Sequence, residues 1–179
     1  MRFKETELSG AWLIEPERVE DERGFFERSW CAEEFAVHRL DCRFVQCNAS
    51  YNRSKETLRG MHYQAEPHAE AKLVRVTRGA VYDVALDLRP NSPTFKRWIA
   101  VELSLENRKL LFLPQGLAHG FQTLVDDTEV FYQMSAPYQP ESARGVRWDD
   151  SAFAIAWPAA ERRIISERDR SFPDFRGRS

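Results

Sequence analysis

Short segments in which apolar and polar residues alternate recur along the chain, and turns rich in Gly, Pro and Asn separate them. Residues 80–88 show the alternation most clearly. Tyr82 and every second residue after it are apolar and face one way, whereas Asp83, Ala85 and Asp87 face the other. A period of two is that of a β-strand, and two acids on one face are typical of a barrel interior or of a hydrated surface.

Similar short segments of apolar and polar residues predict seven further strands, at residues 44–50, 57–63, 71–77, 98–103, 109–113, 119–124 and 128–134. Arg78 and Gly79, between two of these strands, predict a hairpin turn. We predict one helix, over residues 32–38, and short turns after Trp157. Many short strands joined by turns favour an all-β fold, either a sandwich or a small barrel of the jelly-roll type.

Length and charge narrow the class of protein. A chain of 179 residues, 42% of them hydrophobic, suits one domain over residues 1–179, with a loose tail over residues 175–179. The formal net charge of -2 argues against a nucleic-acid-binding protein, whose domain is usually basic. No apolar run approaches the ~20 residues that cross a bilayer, and the first residues are too polar for a signal peptide. We therefore expect neither a nucleic acid nor a membrane as partner.

Cysteine usage indicates the compartment. Cys31, Cys42 and Cys47 are an odd number of cysteines and contain no CxxC pair. They predict neither a disulfide framework nor a zinc site, and we interpret all three as packing residues. A reduced, cytoplasmic setting fits this pattern.

Two histidines, His62 and His119, lie in strand segments and are candidates for chemistry. Two interpretations stay open for them: hydrogen-bonded structural histidines, or ligands of a metal ion together with a carboxylate. The His-x-His pair that metal-binding jelly rolls usually carry is absent, which disfavours the metal site. Lys72 shares a strand face with Val74, so a lysine on the inward face would need a partner or a function, although a solvated surface position is the alternative. Glycine-rich phosphate loops and a serine nucleophile elbow are also absent.

Eight blocks of sequence carry a family resemblance and follow one another in order. They are DERGFF (21–26), FVQ-x-N-x-S (44–50), LRGMHYQ (58–64), KLVR (72–75), YDVALD (82–87), SPTF (92–95), PQG-x-AHGF (114–121) and RWDD (147–150). In this order and register the chain resembles the dTDP-4-dehydrorhamnose 3,5-epimerase family over nearly its whole length.

The resemblance implies a cupin-like jelly roll, a homodimer that shares N-terminal strands, and no metal or organic cofactor. It also implies that the substrate is a nucleotide diphosphate 4-keto-6-deoxy sugar. The reaction would convert dTDP-4-dehydro-6-deoxy-D-glucose to dTDP-4-dehydro-L-rhamnose by inverting C3 and C5. Each inversion removes a proton next to the C4 ketone and returns one to the opposite face, so the enolate oxygen must be stabilised.

By the same resemblance His62 is the base, and Asp169 is the carboxylate that orients it. Lys72 lies beside the C4 oxygen of the sugar, and Tyr132 is the acid that returns a proton from the other face. The resemblance also implies substrate contacts from Arg23, Phe26, Arg28, Gln46, Asn48, Arg59, His119, Tyr138 and Arg168. Of these, Arg23 would reach the neighbouring subunit's ligand, and Phe26 and Tyr138 would stack on the base.

The chain departs from the family pattern at two positions. Arg28 stands where a glutamate near the base is common, and Ala143 stands where a glutamate is frequent. A guanidinium only donates hydrogen bonds and cannot accept one from the N3–H of thymine. We therefore hypothesise a base other than thymine, such as cytosine, whose N3 is an acceptor.

Other functions stay open beside the double epimerase. One is a single 3- or 5-epimerase, on a thymidine-linked sugar or on a CDP-linked or other sugar. The others, of different classes, are a metal-dependent cupin enzyme that uses His62 and His119 as ligands and a non-catalytic sugar-binding jelly roll.

Overall fold

Two antiparallel β-sheets form the body of the protein in the computed structural model, which describes residues 1–40 and 43–176. Cys42, expected to pack in the interior, lies outside the described residues. The strands of the described part are β1 (Arg2–Glu5), β2 (Trp12–Glu15), β3 (Arg18–Asp21), β4 (Gly24–Glu27), β5 (Gln46–Asn52), β6 (Leu58–Gln64), β7 (Lys72–Arg78), β8 (Ala80–Asp87), β9 (Trp98–Ser104), β10 (Leu110–Leu113), β11 (Leu117–Thr123), β12 (Thr128–Met134) and β13 (Ala143–Gly145). Its helices are α1 (Ala32–Val37) and α2 (Glu167–Arg170).

The order of the strands gives a jelly roll, as the strand pattern predicts. One sheet has six strands in the order β1-β2-β10-β7-β12-β5, and the other has five in the order β13-β6-β11-β8-β9. Strands β3 and β4 pair only with each other. All eight predicted strands are confirmed to within two residues at each end, so the period of two locates the strands that build the interior.

The main core lies between the two sheets. Val74 and Val130 of the six-stranded sheet pack in one cluster with Val81 and Leu103 of the five-stranded sheet, and all four are buried. Burying each such side chain contributes about 1.5–3 kcal/mol, so the aliphatic half of the interior holds the sheets together. The other half of the interior carries polar residues.

The hairpin predicted at Arg78 and Gly79 is wrong. Strand β7 pairs with β10 and β12, whereas β8 pairs with β9 and β11 in the opposite sheet. The chain changes sheets at Gly79, whose φ is 76° and whose Cβ, if present, would lie 2.3 Å from Thr128 Oγ1. Glycine is required there by a corner that closely approaches β12, and this local signal does not distinguish a corner from a hairpin.

The alternation pattern does not locate the N-terminal strands that the family resemblance implies, because each of them spans four residues and β1 and β3 consist mostly of charged residues. The hairpin of β3 and β4 lies outside both large sheets. Val19 and Phe26, on its two strands, are 70% and 71% exposed. The hairpin therefore presents apolar side chains that no residue in the described part of the chain covers.

The C-terminal part of the chain covers the outer face of the five-stranded sheet. Phe153 packs against the core of that face, in a cluster with Val84 and Leu86 of β8. We expected a loose tail to begin at Phe175, but its ring packs against Phe153, and its N–H donates to Asp150 Oδ2 at 2.6 Å. Residues 177–179 of that predicted tail lie outside the described residues.

Within residues 1–40 and 43–176, neither helix has the length and apolar character that a membrane span requires. Cys31 is partly exposed and Cys47 is exposed, both as free thiols. Cys47 is therefore not a packing residue, because it lies on the outward face of the edge strand β5.

Candidate active site

A cavity of about 430 Å³ lies between the polar ends of the two sheets. Its lining from the five-stranded sheet and the loops near it includes Arg59, His62, His119, Ala143, Arg144 and Arg168. Its lining from the six-stranded sheet and the loops near it includes Gln46, Asn48, Glu70, Lys72, Tyr132 and Tyr138. Most of the side chains that the sequence singles out thus converge on one space.

His62, on β6, is held by a buried carboxylate. Its Nε2 lies 2.7 Å from Asp169 Oδ1, and the His62 side chain is 41% exposed whereas that of Asp169 is 5% exposed. Because an ionised carboxylate only accepts, we assign the proton of this hydrogen bond to Nε2. Nδ1 then carries the free lone pair, which is what a general base requires.

Asp169 is held by hydrogen bonds from β6 and within α2, and β6 also lies close to β11 at this point. Gly60 has a φ of 131°, and a Cβ on it would lie 2.5 Å from the Cα of Gly120. This backbone also donates the Gly60 N–H to Asp169 Oδ2 at 3.2 Å. At the other end, Ser166 caps α2 by accepting the Asp169 N–H at 3.1 Å. Asp169 is therefore held both by β6, through Gly60, and by the N-terminus of α2, through Ser166.

Lys72, the first residue of β7, faces inward and is buried. Its Nζ lies 2.8 Å from Glu70 Oε1 and donates to the backbone oxygen of His62 at 3.3 Å. The inward lysine thus has the partner that such a position needs. Glu70 was missed in the sequence, although the same period of two that joins Lys72 to Val74 also places Glu70 on that side.

Tyr132, on β12, lies on the wall that belongs to the six-stranded sheet. Burial raises the pKa of its hydroxyl. Arg59 works in the opposite direction, whereas Glu70 and Tyr138 raise this pKa further. Tyr132 is therefore a protonated phenol at neutral pH and can donate a proton.

His119 forms a second histidine–carboxylate pair. Its Nε2 lies 3.0 and 2.9 Å from the two oxygens of Asp83, which is fully buried. The acidic face of residues 80–88 was expected in a barrel interior or on a hydrated surface. Asp83 lies in the interior. His119 and His62 are direct cross-strand neighbours on β11 and β6.

A hydrogen-bonded group of polar residues lines the mouth of the cavity. Gln46 Nε2 donates to Asn48 Oδ1 at 3.0 Å, and Gln46 Oε1 accepts the Tyr138 N–H at 2.8 Å. Arg59 Nε donates to Asn52 Oδ1 at 2.7 Å. Arg144, which was also missed, lines the cavity beside Ala143 and has no sequence signal apart from its charge.

Three predicted contact residues, all from the N-terminal hairpin region, lie outside the cavity lining. Arg23 binds Asp21 through its guanidinium, and its side chain is 85% exposed. Phe26 is exposed, and Arg28 Nη1 donates to Glu34 Oε1 at 2.8 Å. Within a single chain these residues do not reach the cavity.

His62 and His119 belong to two separate histidine–carboxylate pairs. Across residues 1–40 and 43–176, no group of three His, Cys, Asp or Glu side chains has the arrangement of a metal site. His62 and His119 each bind a carboxylate of their own, on different elements. Both histidines are therefore hydrogen-bonded to separate carboxylates, and His62 is in addition partly exposed to the cavity, which a purely structural histidine need not be.

Comparison with known proteins gives consistent matches. A family model described as dTDP-4-dehydrorhamnose 3,5-epimerase matches residues 5–177. The dTDP-4-dehydrorhamnose 3,5-epimerase of Sinorhizobium fredii is 43% identical over 175 residues, which are 98% of this chain and 90% of that protein.

Solved structures are similar over the same length. The dTDP-4-dehydrorhamnose 3,5-epimerase of Bacillus anthracis, crystallised with TDP and PPi bound, has a TM-score of 0.93 and 41% identity and covers 97% of this chain and 99% of its own. A dTDP-6-deoxy-D-glucose-3,5-epimerase of Legionella pneumophila, in complex with dTDP-4-keto-L-rhamnose, has a TM-score of 0.89 and 39% identity. That match covers 94% of this chain and 89% of the other.

Proposed function

This chain belongs to the dTDP-4-dehydrorhamnose 3,5-epimerase family, an isomerase family, and we propose that the cavity between its sheets carries out that reaction. The substrate is dTDP-4-dehydro-6-deoxy-D-glucose, and inversion at C3 and C5 gives dTDP-4-dehydro-L-rhamnose. Side chains move every proton in this scheme, so it uses no metal or organic cofactor.

His62 removes the proton next to the C4 ketone. Its Nδ1 is free to accept, because Nε2 is engaged by Asp169 at 2.7 Å. When the ring becomes positively charged, the adjacent carboxylate stabilises it, as in other histidine–carboxylate pairs. The electrons of the broken C–H bond move to the C4 oxygen and form an enolate, and Lys72 provides the positive charge beside that oxygen.

Tyr132 returns a proton to the same carbon from the other face. The observation that carries this proposal is that His62 and Tyr132 line one cavity but belong to the two facing sheets. A carbon held between them has the base on one side and the acid on the other, which inversion requires. The raised pKa of Tyr132 supports its role as the acid, because the phenol keeps its proton until it is used.

The test is proton NMR of the substrate in deuterated water. The wild-type enzyme is expected to remove both the C3 and the C5 proton signals, and His62→Asn is expected to abolish this exchange. His38→Asn serves as control, since His38 stacks on Phe3 outside the cavity. Exchange that survives in His62→Asn would show that His62 is not the base, and loss of only one signal in the wild type would indicate a single epimerase.

Tyr132→Phe separates the two halves of the reaction. Proton removal by His62 should continue, whereas formation of the inverted product should fall much further, because the second face has lost its acid. Tyr51→Phe is the matched control, as Tyr51 is exposed on β5. Equal loss of exchange and inversion would contradict the assignment of Tyr132 to the second step.

Thymine is the base that we propose for the nucleotide. Relatives crystallised with TDP and with dTDP-4-keto-L-rhamnose support this base. Arg28 Nη1 donates to Glu34 Oε1 at 2.8 Å, and this ion pair weakens the argument for cytosine, which needs a guanidinium free to donate to the base. Titration calorimetry is expected to give a lower Kd for dTDP than for CDP. Tighter binding of CDP would restore the cytosine hypothesis.

A homodimer completes the site in this proposal. The hairpin of β3 and β4 exposes Val19 and Phe26, and it carries Arg23 away from the chain's own cavity. A second copy of the chain would cover this apolar surface and receive Arg23, Phe26 and Arg28 near its own ligand. We place the enzyme in the cytoplasm, a location that the free thiols of Cys31 and Cys47 support.

A further inference from the structure

Glu70 is a buried acid in the active-site cavity, and the proton transfers described above do not use it. Its side chain is 3% exposed, although it lines the cavity. Among the described residues of that lining it is the one carboxylate, beside the cationic side chains of Arg59, Lys72, Arg144 and Arg168. An ionised acid in such a position is costly to bury unless both of its oxygens are well bound.

Both oxygens of Glu70 are bound. Oε1 lies 2.8 Å from Lys72 Nζ, and Oε2 accepts the backbone N–H of Gln64 at 3.1 Å. Gln64 is the last residue of β6, the strand that carries His62. The carboxylate therefore connects the strand of the base to the lysine on the facing sheet.

The hydrogen bonds of Lys72 define the direction of its remaining donor. An ammonium group has three N–H donors. Within the described residues, one is directed to Glu70 and a second to the backbone oxygen of His62. One donor is left for the cavity that Lys72 lines.

We propose that Glu70 is a positioning residue, which holds the Lys72 ammonium with its one remaining N–H directed at the C4 oxygen of the substrate. A lysine side chain is long and flexible, and without an anchor its ammonium group would sample several positions in the cavity. Fixed by Glu70, the donor needs no reorganisation when negative charge develops on the enolate. The inference rests on the function proposed above and extends it to a residue with no assigned role.

The first test is Glu70→Gln, which keeps the size of the side chain and removes its charge. The glutamine amide has an NH2 donor in place of one carboxylate oxygen, so it cannot accept from Lys72 and from the Gln64 N–H at the two positions where the carboxylate oxygens now lie. Because a small displacement of a catalytic group can cost about 10²-fold in rate, we expect kcat to fall by about 10²-fold while KM changes less than about threefold. Glu66→Gln is the matched control, as Glu66 is an exposed acid of the same loop.

A double-mutant cycle shows whether Glu70 acts through Lys72. If it does, Glu70→Gln combined with Lys72→Met should be no slower than Lys72→Met alone. Losses that multiply in the double variant would overturn the proposal, and so would a Glu70→Gln enzyme with the kcat of the wild type. A wild-type enzyme that exchanges neither C3 nor C5 protons would instead refute the proposed function itself.

The pH profile provides a readout that a purely structural role would not change. Tyr132 faces Arg59 from β6, Glu70 and Tyr138, and the negative charge of Glu70 helps to raise its pKa. Glu70→Gln should therefore move the alkaline limb of the kcat profile to lower pH. Glu70→Asp retains the charge and should leave the limb near its wild-type position while kcat falls. Glu70→Asp with the kcat of the wild type would contradict the proposal, because the shorter side chain keeps the charge but not the position of the carboxylate. Unchanged affinity for dTDP verifies that both variants are folded.

Discussion

At the scale of single residues, the proposed proton transfer depends on the charge of Asp169. Burial works to raise the pKa of this carboxyl, but hydrogen bonds from His62, Gly60 and Ser166 outweigh burial and keep the pKa below its usual value. Asp169 is therefore ionised at neutral pH and fixes the tautomer of His62. The ionised carboxylate of Asp169 binds Nε2 of His62 and thereby leaves Nδ1 free to act as the base.

Asp169→Asn should slow the enzyme far more than it destabilises the fold. An amide in place of the carboxylate can donate to Nε2 and leaves the proton on Nδ1, where it blocks the base; in a comparable histidine–carboxylate pair such a change costs about 10⁴-fold in kcat. We expect a loss of 10²-fold or more in C3 and C5 proton exchange, by the same order-of-magnitude reasoning. Asp174→Asn, an exposed acid of the same segment, is the control. An exchange rate within about twofold of the wild type would refute the role of the carboxylate.

Asp87 is the acid of residues 80–88 whose role is structural. It is fully buried, and burial alone would raise its pKa, but hydrogen bonds from Arg89, Ser92 and Thr94 lower the pKa to about 2. The three donors belong to the loop that follows β8. One carboxylate therefore organises this loop.

Asp87→Asn should destabilise the protein at neutral pH by about 2 kcal/mol, the free energy that corresponds to the lowered pKa. Because the folded-state pKa lies below the unfolded value, this stabilisation is complete above about pH 4 and is lost as the pH falls towards 2. Urea unfolding of both proteins at pH 7 and near pH 2 measures it, with the exposed Glu106→Gln as control. A difference in unfolding free energy that stays constant over this pH range would contradict the assignment.

The family resemblance, rather than residue type, predicted most of the candidate site, because residue type alone left structural or solvated roles open for His62 and Lys72. His62, Lys72 and Tyr132 line one cavity, as the family resemblance implies. Glu70 was missed because an acid before a strand is usually a solvated residue, and its position two residues before Lys72 was not used to place it beside that lysine. Arg144 was missed because its charge alone does not indicate which way it points.

At the scale of elements, the segment that carries Asp169 is positioned by contacts with glycine. Gly145 of β13 lies against the ring of Phe172, so that a Cβ on this glycine would come within 2.3 Å of ring atoms. Phe172 also packs edge-on to the His62 ring, with the ring centroids 6.2 Å apart. The approach of this ring to β13 therefore helps to dock α2 beside the base.

Gly145→Ala should displace Phe172 and, with it, the segment that holds Asp169. Overpacking of this kind costs about 1–3 kcal/mol, and we expect a loss of that size together with a fall in kcat. Gly145→Ala combined with Phe172→Leu makes room for the new methyl group and should recover stability and part of the rate. Thermal unfolding and the exchange assay measure the two effects, and a double variant no better than the single one would exclude this crowding as the cause.

Strand positions were predictable because one buried face enforces a period of two, as in β8 and β12. The pairing of strands was not predictable in the same way. Gly79 satisfies a hairpin or a corner equally well, and the choice depends on contacts with Thr128, which lies 49 residues further along the chain. Strands β1 to β4 span only four residues each, which is too short for a period of two to show.

At the scale of the whole molecule, the single chain holds an incomplete set of the predicted contacts. His62, Lys72 and Tyr132 line one cavity. Arg23, by contrast, projects from the exposed hairpin of β3 and β4, where its guanidinium binds Asp21. In a symmetric dimer, a hairpin that serves the partner's cavity gives each site residues from two chains. Mixed dimers of two variants distinguish this arrangement from one in which Arg23 serves its own cavity.

His62→Asn and Arg23→Ala chains should complement each other. Loss of a charge-assisted contact costs about 1.5–3 kcal/mol, so Arg23→Ala alone should lose about 10- to 10²-fold in kcat/KM. In a mixed dimer, the cavity of the Arg23→Ala chain keeps His62 and receives Arg23 from its partner, which makes one intact site. Heterodimers isolated through two different tags should therefore show about half of the wild-type activity. If Arg23 served its own cavity instead, neither site of the heterodimer would be intact and the activity would stay at the level of the two separate variants.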